Sequence, residues 1–408
     1  MGIKDFSKTF EPTRIVKFKD YTNKTIAVDA MTEIYQASLG AKSVKALTDK
    51  DGNPTLHIST IIGRILELHK YGIKQIWVFD HESNSVDFHN PAKNNERLKR
   101  QQKKDEATVK LRNLEERLMQ KTEKVLFSDD EEDEPNISSQ PNTKVNLTET
   151  KNNLMEMKDT TMAELMTEQE IDIDIDNTTD NTTDNTTDEA IATMKEQKDS
   201  LEKRTFSLGP NVINEIKLIF NYLNIHYIEA PAGFEAEHIA AYLCDTEQCD
   251  AVLSADTDPI PFGSRVLLRR LTRGGVKQIY EYKLTDICKK ISPTATIKDV
   301  RKVCAILGSD FCERTPGVGP KTVLKKYKDI ELNDRQKEAI KQFEKEPVDD
   351  IGVFNMTKEP FKVAGENAAD FTNLFEWLVT EKSFNRARLE KRFDFILKPP
   401  KQSKKTTK

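Results

Sequence analysis

Hydrophobic and polar positions fall into two alternating patterns along the first part of the chain. Residues 24–30, KTIAVDA, form a short β-branched run that ends at Asp29, and residues 73–80, IKQIWVFD, form a longer apolar run that ends at Asp80. Between them, residues 61–71 (IIGRILELHKY) place apolar side chains at helical spacing. Strand, helix and strand in that order predict a βαβ unit with a parallel sheet, whose ligands gather at the carboxyl ends of the strands. Further on, residues 212–223 repeat the helical stripe and residues 225–228 read as a short strand. The stripe Ile239, Ala240 and Leu243 follows the stop-and-turn signal Ala230-Pro231-Ala232-Gly233 and predicts another helix, and Ala251-Val252-Leu253 is a third buried strand. Residues 265–270 and 276–282 flank Gly274-Gly275 and predict a hairpin without chemistry of its own.

Against this pattern the acidic residues stand out by position. Glu235 and Glu237 open the helix after Gly233, and Asp256 and Asp258 follow the strand at 251–253, each pair separated by one residue. On an extended segment residues i and i+2 point to one side, so Asp256 and Asp258 are expected to face a common ion. Helical i and i+2 diverge, so one glutamate is expected on a metal and the other at the helix mouth or acting through water. Four such anions placed together repel, which calls for a cation between them. An oxygen-only donor set suits Mg²⁺ or Mn²⁺ better than zinc. Two competing readings stay open: the glutamates as solvated surface, and Asp29 or Asp80 taken singly as helix caps.

Bulk composition narrows the class. The chain has 408 residues, room for two or three domains at roughly 150 each. Its formal charge of −5 hides a strong asymmetry, with acid concentrated centrally and base elsewhere. Residues 93–124 are basic and helical in pattern, and Lys99, Arg100, Lys103 and Lys104 could meet phosphates or simply form an exposed charged face. Residues 128–188 carry DDEEDEP, DIDID and three Asn-Thr-Thr-Asp copies, too little apolar area to offset ordering entropy, and are expected to be disordered. The five cysteines show no C-x-x-C spacing, which reads as a reduced intracellular protein without a zinc framework. No apolar run of about 18 residues or signal peptide is present, so no membrane is expected.

A second chemical signal lies at residues 297–327. An apolar run ends in Gly308-Ser309-Asp310, and Gly317-Val318-Gly319-Pro320-Lys321 follows as a tight turn with proline at a helix start. Backbone amides there, with Lys321, Lys325 and Lys326, suit a duplex phosphate without reading a base, and a plain helix–helix turn is the competing account.

Taken in order, Met1-Gly2-Ile3, Ile26-Ala27-Val28-Asp29-Ala30, Val78-Phe79-Asp80, Phe234-Glu235-Ala236-Glu237, Asp256-Thr257-Asp258 with Phe262-Gly263, Leu307-Gly308-Ser309-Asp310 and Gly317-Val318-Gly319-Pro320-Lys321 resemble the flap endonuclease / XPG-type structure-specific nuclease family. The resemblance covers residues 1–124 and 206–327, with a fainter trace at 374–392. It implies an α/β, PIN-like (resolvase-like) fold: a central, mostly parallel sheet flanked by helices, with a helical arch and a helix-two-turn-helix DNA-binding element. It implies two Mg²⁺ ions, replaceable by Mn²⁺, the first served by Asp29, Asp80, Glu235 and Glu237 and the second by Asp256, Asp258 and Asp310. The DNA-binding set it implies is Gly2, Tyr35, Lys42, Arg64, Gly308, Gly317, Gly319 and Lys321, with Tyr35 against a base near the cut and Lys42 where the family often has arginine.

Three departures from the family pattern bear on function. Where the family carries a lysine and an arginine at the arch base, this chain has Asp87 and Asn94, so Lys93 and Arg97 become the candidate catalytic cations. The acidic insertion resembles the excision-repair branch in position and is much shorter. The end of the chain lacks a clear clamp-binding box, leaving Phe393, Phe395 and Ile396 either as a divergent sliding-clamp segment or as core. The expected division is 1–104, N-terminal nuclease region; 105–205, arch and insertion; 206–340, internal nuclease region; and 341–408, C-terminal helices and basic tail. The expectation is a monomeric, nuclear, structure-specific 5′-flap DNA endonuclease with 5′-3′ exonuclease capacity, in replication or repair. Its rivals are a catalytically idle DNA-binding accessory and a junction or bubble endonuclease.

Overall fold

The computed structural model describes residues 2–43, 48–81, 91–127, 187–205, 210–273, 276–347, 361–362 and 368–397. The chain opens with helix α1 (Phe6–Thr9), strand β1 (Arg14–Val16) and a 3-10 turn (Phe18–Tyr21). Strand β2 (Thr25–Asp29) runs straight into helix α2 (Ala30–Ser43), followed by α3 (Leu56–Lys70), β3 (Lys74–Phe79), α4 (Pro91–Phe127) and α5 (Thr187–Thr205). Then come α6 (Pro210–Leu223), β4 (His226–Glu229), α7 (Ala236–Asp245), β5 (Ala251–Leu253), α8 (Pro259–Phe262), β6 (Val266–Arg273) and β7 (Val276–Lys283). Helices α9 (Leu284–Ile291), α10 (Ile297–Leu307), α11 (Pro320–Lys326), α12 (Asp334–Glu344), α13 (Phe371–Thr380) and α14 (Arg386–Leu397) complete the fold.

The seven strands form one sheet in the order β1-β7-β6-β5-β2-β3-β4. The pairs β6·β5, β5·β2, β2·β3 and β3·β4 are parallel, and β1 joins β7 antiparallel. Strands β2, β3 and β5 are buried on both faces, as parallel strands under two helical layers must be. Their period-2 alternation divides the interior into two cores. Ala27, Ile76, Val78 and Val252 face the layer holding Ile239, Leu243, Val303 and Phe343. Ile26, Val28, Trp77, Phe79 and Leu253 face the layer holding Ile61, Ile65, Phe220 and Leu374. The expected mostly parallel sheet with flanking helices is the fold observed.

Helix α3 starts at Leu56, five residues before the periodic stretch read from sequence, because residues 48–54 form a turn closed by a Thr48–Pro54 bridge that delivers the chain to Thr55. Strands β6 and β7 each run eight residues, longer than the polar-rich sequence suggested. Near the end of α14, Phe393 belongs to the core: it is 0% exposed and its ring meets Phe371 at 6.0 Å and Phe375 at 5.3 Å. Phe395, by contrast, is exposed. A clamp-binding segment using Phe393 would have to unseat α14.

The chain divides into two compact units, one formed by residues 1–99, 207–271 and 278–408, the other by 100–206 and 272–277. Within the second, α4 buries Ala107 and Leu114, and Glu115 on α4 pairs with Lys198 on α5 at 2.9 Å. Residues 128–186 of the acidic insertion, the Gly274-Gly275 turn and the basic tail from residue 398 lie outside the described residues. All five cysteines are free thiols. Among the described residues no helix is long and apolar enough to cross a membrane.

Candidate active site

Strand order fixes where a ligand can sit. From β2 the sheet grows through β3 and β4 to one side, and the chain then returns to add β5 on the other side of β2. Such a reversal opens a crevice at the carboxyl ends of the two central strands. Asp29 is the last residue of β2, and β5 pairs Leu253 with Val28, which brings Ser254 level with Asp29. Ser254 Oγ donates to Asp29 Oδ2 at 2.8 Å, and the Thr32 amide donates to Oδ1 at 3.1 Å. Asp29 is 2% exposed. Burial pushes its carboxyl up to about 7 against those two hydrogen bonds, and the negative charge of Asp80 adds to the rise. Asp80 follows β3 and its Oδ1 accepts the Ala236 amide at 2.8 Å, which ties the start of α7 to the sheet edge. Both aspartates therefore serve helix N-termini, the structural role the sequence left open, while standing at the crevice.

The second acidic segment reaches the same edge by a different geometry from the one expected. Strand β5 ends at Leu253, and residues 254–258 bend rather than extend, with Asp258 already in helical conformation (φ −61°, ψ −26°) as the N-cap of α8. Ser254 Oγ accepts the Asp256 amide at 3.0 Å, and Asp256 Oδ1 accepts the Thr257 amide at 2.6 Å. Asp256 is 5% exposed and Asp258 0%, so the turn, and no strand pleat, turns both carboxylates inward. Gly2 lies between them: a methyl group there would come 1.9 Å from Asp256 Oδ1 and 2.9 Å from Asp258 Oδ1, at a φ of +89° that favours glycine. The N-terminal segment is pinned there by Ile3, whose amide donates to Thr257 Oγ1 at 2.8 Å, and by Lys4, whose amide donates to Gly308 O at 2.9 Å.

The remaining acids lie at the start of α7 and in the turn after α10. Glu235 is the N-cap of α7 in extended conformation and Glu237 lies in its first turn, both half-buried. Asp310 sits half-buried in a turn closed by the Ser309–Cys312 bridge and by the Phe311 amide on Ser309 Oγ at 3.1 Å. Gly308 takes φ +90°, and a methyl group there would meet the Arg314 backbone nitrogen at 2.7 Å. Arg314 in turn holds Asp5 at 2.6 Å. Among the described residues no three His, Cys, Asp or Glu side chains are gathered closely enough to ligate one metal ion. The residues nonetheless fit a hard divalent cation by donor chemistry: Asp29 and Asp80 feel each other's charge, and Asp256 and Asp258 both border the Gly2 cradle.

The expected DNA-contacting residues separate into distinct environments. Tyr35 is half-buried on α2. Gly317, at φ +73° with open space where a methyl group would point, and Gly319, the N-cap of α11, form the turn that presents exposed Lys321. Arg64 departs from expectation. Its side chain is 8% exposed and turned inward onto Glu33 at 2.9 Å, because a buried carboxylate needs a charged partner. Lys99 lies 2.8 Å from Glu313, an exposed pair worth little in water. The side chains of Lys42, Lys93, Asn94 and Arg97 lie outside the described residues, as does Asp87, and the backbone of 93–97 belongs to the start of α4.

Sequence reading missed three residues that build the site. Ser254 links Asp29 to Asp256, Thr257 anchors the N-terminal segment, and His238 is 7% exposed and packed among aromatic rings. The small hydroxyls at Ser254 and Thr257, set among acids, were the available signal. Nothing local marked His238.

Two regions of the chain match known protein-family models. The XPG N-terminal domain matches residues 1–107 and the XPG I-region matches residues 224–310. All seven candidate acids fall inside those two spans. Both matched regions are those of XPG-type nucleases. Among relatives of this nuclease family, flap endonuclease 1-A of Oryza sativa subsp. japonica is 25% identical over 415 residues, covering 97% of this chain and 86% of the relative. Flap endonuclease 1 of Trypanosoma brucei brucei is 30% identical over 207 residues, 48% of this chain and 52% of the relative. In fold, the chain is similar to flap endonuclease-1 from Methanococcus jannaschii, with a TM-score of 0.56 at 19% identity over 96% of this chain and 97% of that one. It is also similar to the catalytic core of Rad2 in complex with DNA substrate, with a TM-score of 0.51 at 17% identity over 97% of this chain and 100% of that one. The stretch between the two nuclease-family spans, residues 108–223, contains the acidic insertion.

Proposed function

We propose that this chain is a structure-specific endonuclease that hydrolyses a DNA phosphodiester where a 5′ flap leaves the duplex, acting as a nuclear monomer in replication or repair. One observation carries the reading: β2, β3 and β5 deliver Asp29, Asp80, Asp256 and Asp258 to the crevice of a nuclease-family sheet. Relatives that this chain covers over most of their length are named flap endonucleases. Asp29, Asp80, Glu235 and Glu237 would hold one Mg²⁺ and Asp256, Asp258 and Asp310 another, with Mn²⁺ as a substitute. Ions so held would supply Lewis acidity at a phosphate and would lower the pKa of a bound water.

The chain's own groups do the rest. Ser254 keeps Asp29 and the Asp256 turn in one register, and Gly2 leaves room for a close backbone approach beside both carboxylates. The amides of Gly317 to Gly319 and the ammonium of Lys321 bind duplex phosphates without reading bases, so recognition rests on DNA shape. Lys93 and Arg97, in the first turns of α4, orient the scissile phosphate in place of the lysine and arginine that Asp87 and Asn94 displace.

The test is cleavage of a labelled 5′-flap duplex with Mg²⁺ by wild type and Asp256→Ala, beside nicked, bubble and four-way substrates. Wild type cuts the flap at the junction and Asp256→Ala binds it without product. Wild-type binding without turnover would assign the chain to the accessory class, and preference for the bubble or four-way substrate would move it within the family. Undiminished cutting by Asp256→Ala would remove the proposed site.

A further inference from the structure

Three acidic segments of the candidate site, 235–237, 256–258 and 310, have aromatic rings close by in sequence, and these rings meet. Phe234 precedes Glu235, His238 follows Glu237, Phe262 closes the short helix capped by Asp258, and Phe311 follows Asp310. The His238 ring stacks on Phe262 at 4.1 Å with 16° between planes and takes the edge of Phe234 at 5.0 Å. Phe262 then meets Phe311 at 5.9 Å and Phe343 of α12 at 5.6 Å, and Phe311 meets Phe343 at 5.4 Å, all three edge-on.

One polar bond closes this set. His238 Nε2 lies 2.7 Å from the carbonyl oxygen of Lys345, the residue that ends α12. A carbonyl only accepts, so Nε2 carries the hydrogen and donates it. Lys345 turns back over the same segment: its ammonium sits 4.2 Å over the Phe234 ring and donates to Gly233 O at 3.3 Å. At the other end of α12, Gln336 donates to Ala305 O at 3.1 Å and to Thr315 Oγ1 at 2.8 Å, just before the glycine turn at 317–319. Helix α12 therefore runs from the segment that bears Asp310 and the phosphate-binding turn to the base of the glutamate helix.

We propose that His238 is a positioning residue: through its stack on Phe262 and its bond to Lys345 it sets the spacing of Glu235/Glu237, Asp256/Asp258 and Asp310 for divalent ions and fastens that spacing to α12. It touches neither substrate nor ion. The proposal rests on the metal-dependent reading above and adds the residue that fixes the geometry. Groups that orient ligands from outside the coordination sphere typically change metal affinity by roughly 10–100-fold when removed.

The test separates the ring from the hydrogen-bond donor. His238→Phe keeps the stack and loses the donor, and His238→Gln keeps a donor without the ring. In the full chain, Mn²⁺ binding to free protein is followed by electron paramagnetic resonance, beside thermal midpoints and the Mg²⁺ dependence of 5′-flap cleavage. The expected result for His238→Phe is a thermal midpoint near wild type, Mn²⁺ binding about tenfold weaker, half-saturating Mg²⁺ raised by a similar factor, and an unchanged KM for flap DNA at saturating Mg²⁺. His238→Gln restores part of the Mn²⁺ affinity. Where His238→Phe does not fold, wild-type protein labelled with ¹⁵N-histidine decides: Mg²⁺ shifts the His238 Nε2–H resonance, and an unmoved resonance overturns the proposal. Mn²⁺ binding by a folded His238→Phe equal to wild type overturns it while leaving the nuclease reading intact. Weakened Mn²⁺ binding without flap cleavage by any variant sustains it and defeats the nuclease reading, and wild type that binds no Mn²⁺ overturns both.

Discussion

Ser254 Oγ donates to Asp29 Oδ2 at 2.8 Å and accepts the Asp256 amide at 3.0 Å, so one hydroxyl couples the end of β2 to the acidic turn after β5. Ser254 is 1% exposed, and neither bond can be replaced by bulk water. Ser254→Ala should destabilise the fold by about 1–3 kcal/mol, since it leaves a buried carboxylate oxygen short of a donor. Flap cleavage should fall by roughly 10–100-fold as Asp29 and Asp256 lose their common register. Urea denaturation and single-turnover cleavage measure the two effects; a wild-type rate in the variant would show that the link is structural only.

Gly2 tests the cradle without touching an acid. Its backbone is left-handed, and an added methyl group would press on Asp256 Oδ1, Thr257 Oγ1 and Asp258 Oδ1 at 1.9, 2.6 and 2.9 Å. The chain must move away, dragging the Ile3 amide off Thr257. Because the displacement is on the order of 1 Å at a reacting centre, Gly2→Ala should lose roughly 100-fold in cleavage rate. The rest of the fold is anchored elsewhere, by Phe6 and Phe10 in the core, so thermal unfolding should change little. A rate within twofold of wild type would place the reacting phosphate away from Gly2.

The strands were legible because β2, β3 and β5 lie under helices on both faces and must be written as unbroken apolar runs. An acid at the end of such a run is visible against it, which is how Asp29 and Asp80 declared themselves. Asp256 and Asp258 were found for an incomplete reason: the pleat argument assumed extension, whereas hydrogen bonds from the Asp256 and Thr257 amides bend the chain. What stayed hidden depends on distant partners. Arg64 shows periodic helix context and no hint of Glu33, 31 residues earlier, and His238 gives no sign of Lys345, 107 residues later.

Acid should loosen the β1 edge. Glu281 of β7 is 0% exposed and holds Arg14 at 2.9 Å, with the Tyr21 hydroxyl donating to its other oxygen. Burial works to raise its carboxyl, and the bonds from Arg14 and Tyr21 outweigh burial, leaving it below the ordinary 4.5. A depressed carboxyl stabilises the fold above its unfolded value, and that stability is lost as pH falls from about 4.5 through the lower folded value. Glu281→Gln should therefore be less stable than wild type near neutrality, with the gap closing as pH falls below the ordinary 4.5. Urea midpoints for both proteins across that range measure it; a gap independent of pH would assign the role to packing.

Arg392 explains a glycine in the middle of a helix. Its guanidinium reaches from α14 to α3, donating to Ser59 O at 2.8 Å and Ser59 Oγ at 3.0 Å, and a methyl group on Gly63 would come 2.5 Å from Nη2. Helix propensity alone favours alanine over glycine there by about 1 kcal/mol. Displacing a half-buried guanidinium from its acceptors costs about 1.5–3 kcal/mol, so the second effect wins. Gly63→Ala should destabilise the wild-type chain by about 1 kcal/mol, the difference of the two. In an Arg392→Ala background the clash is gone and the sign reverses, with Gly63→Ala stabilising by about 1 kcal/mol. Denaturant unfolding of the four proteins closes the cycle. Equal effects of Gly63→Ala in both backgrounds would mean that α14 does not dock through Arg392, and that the space over Gly63 is kept for something else.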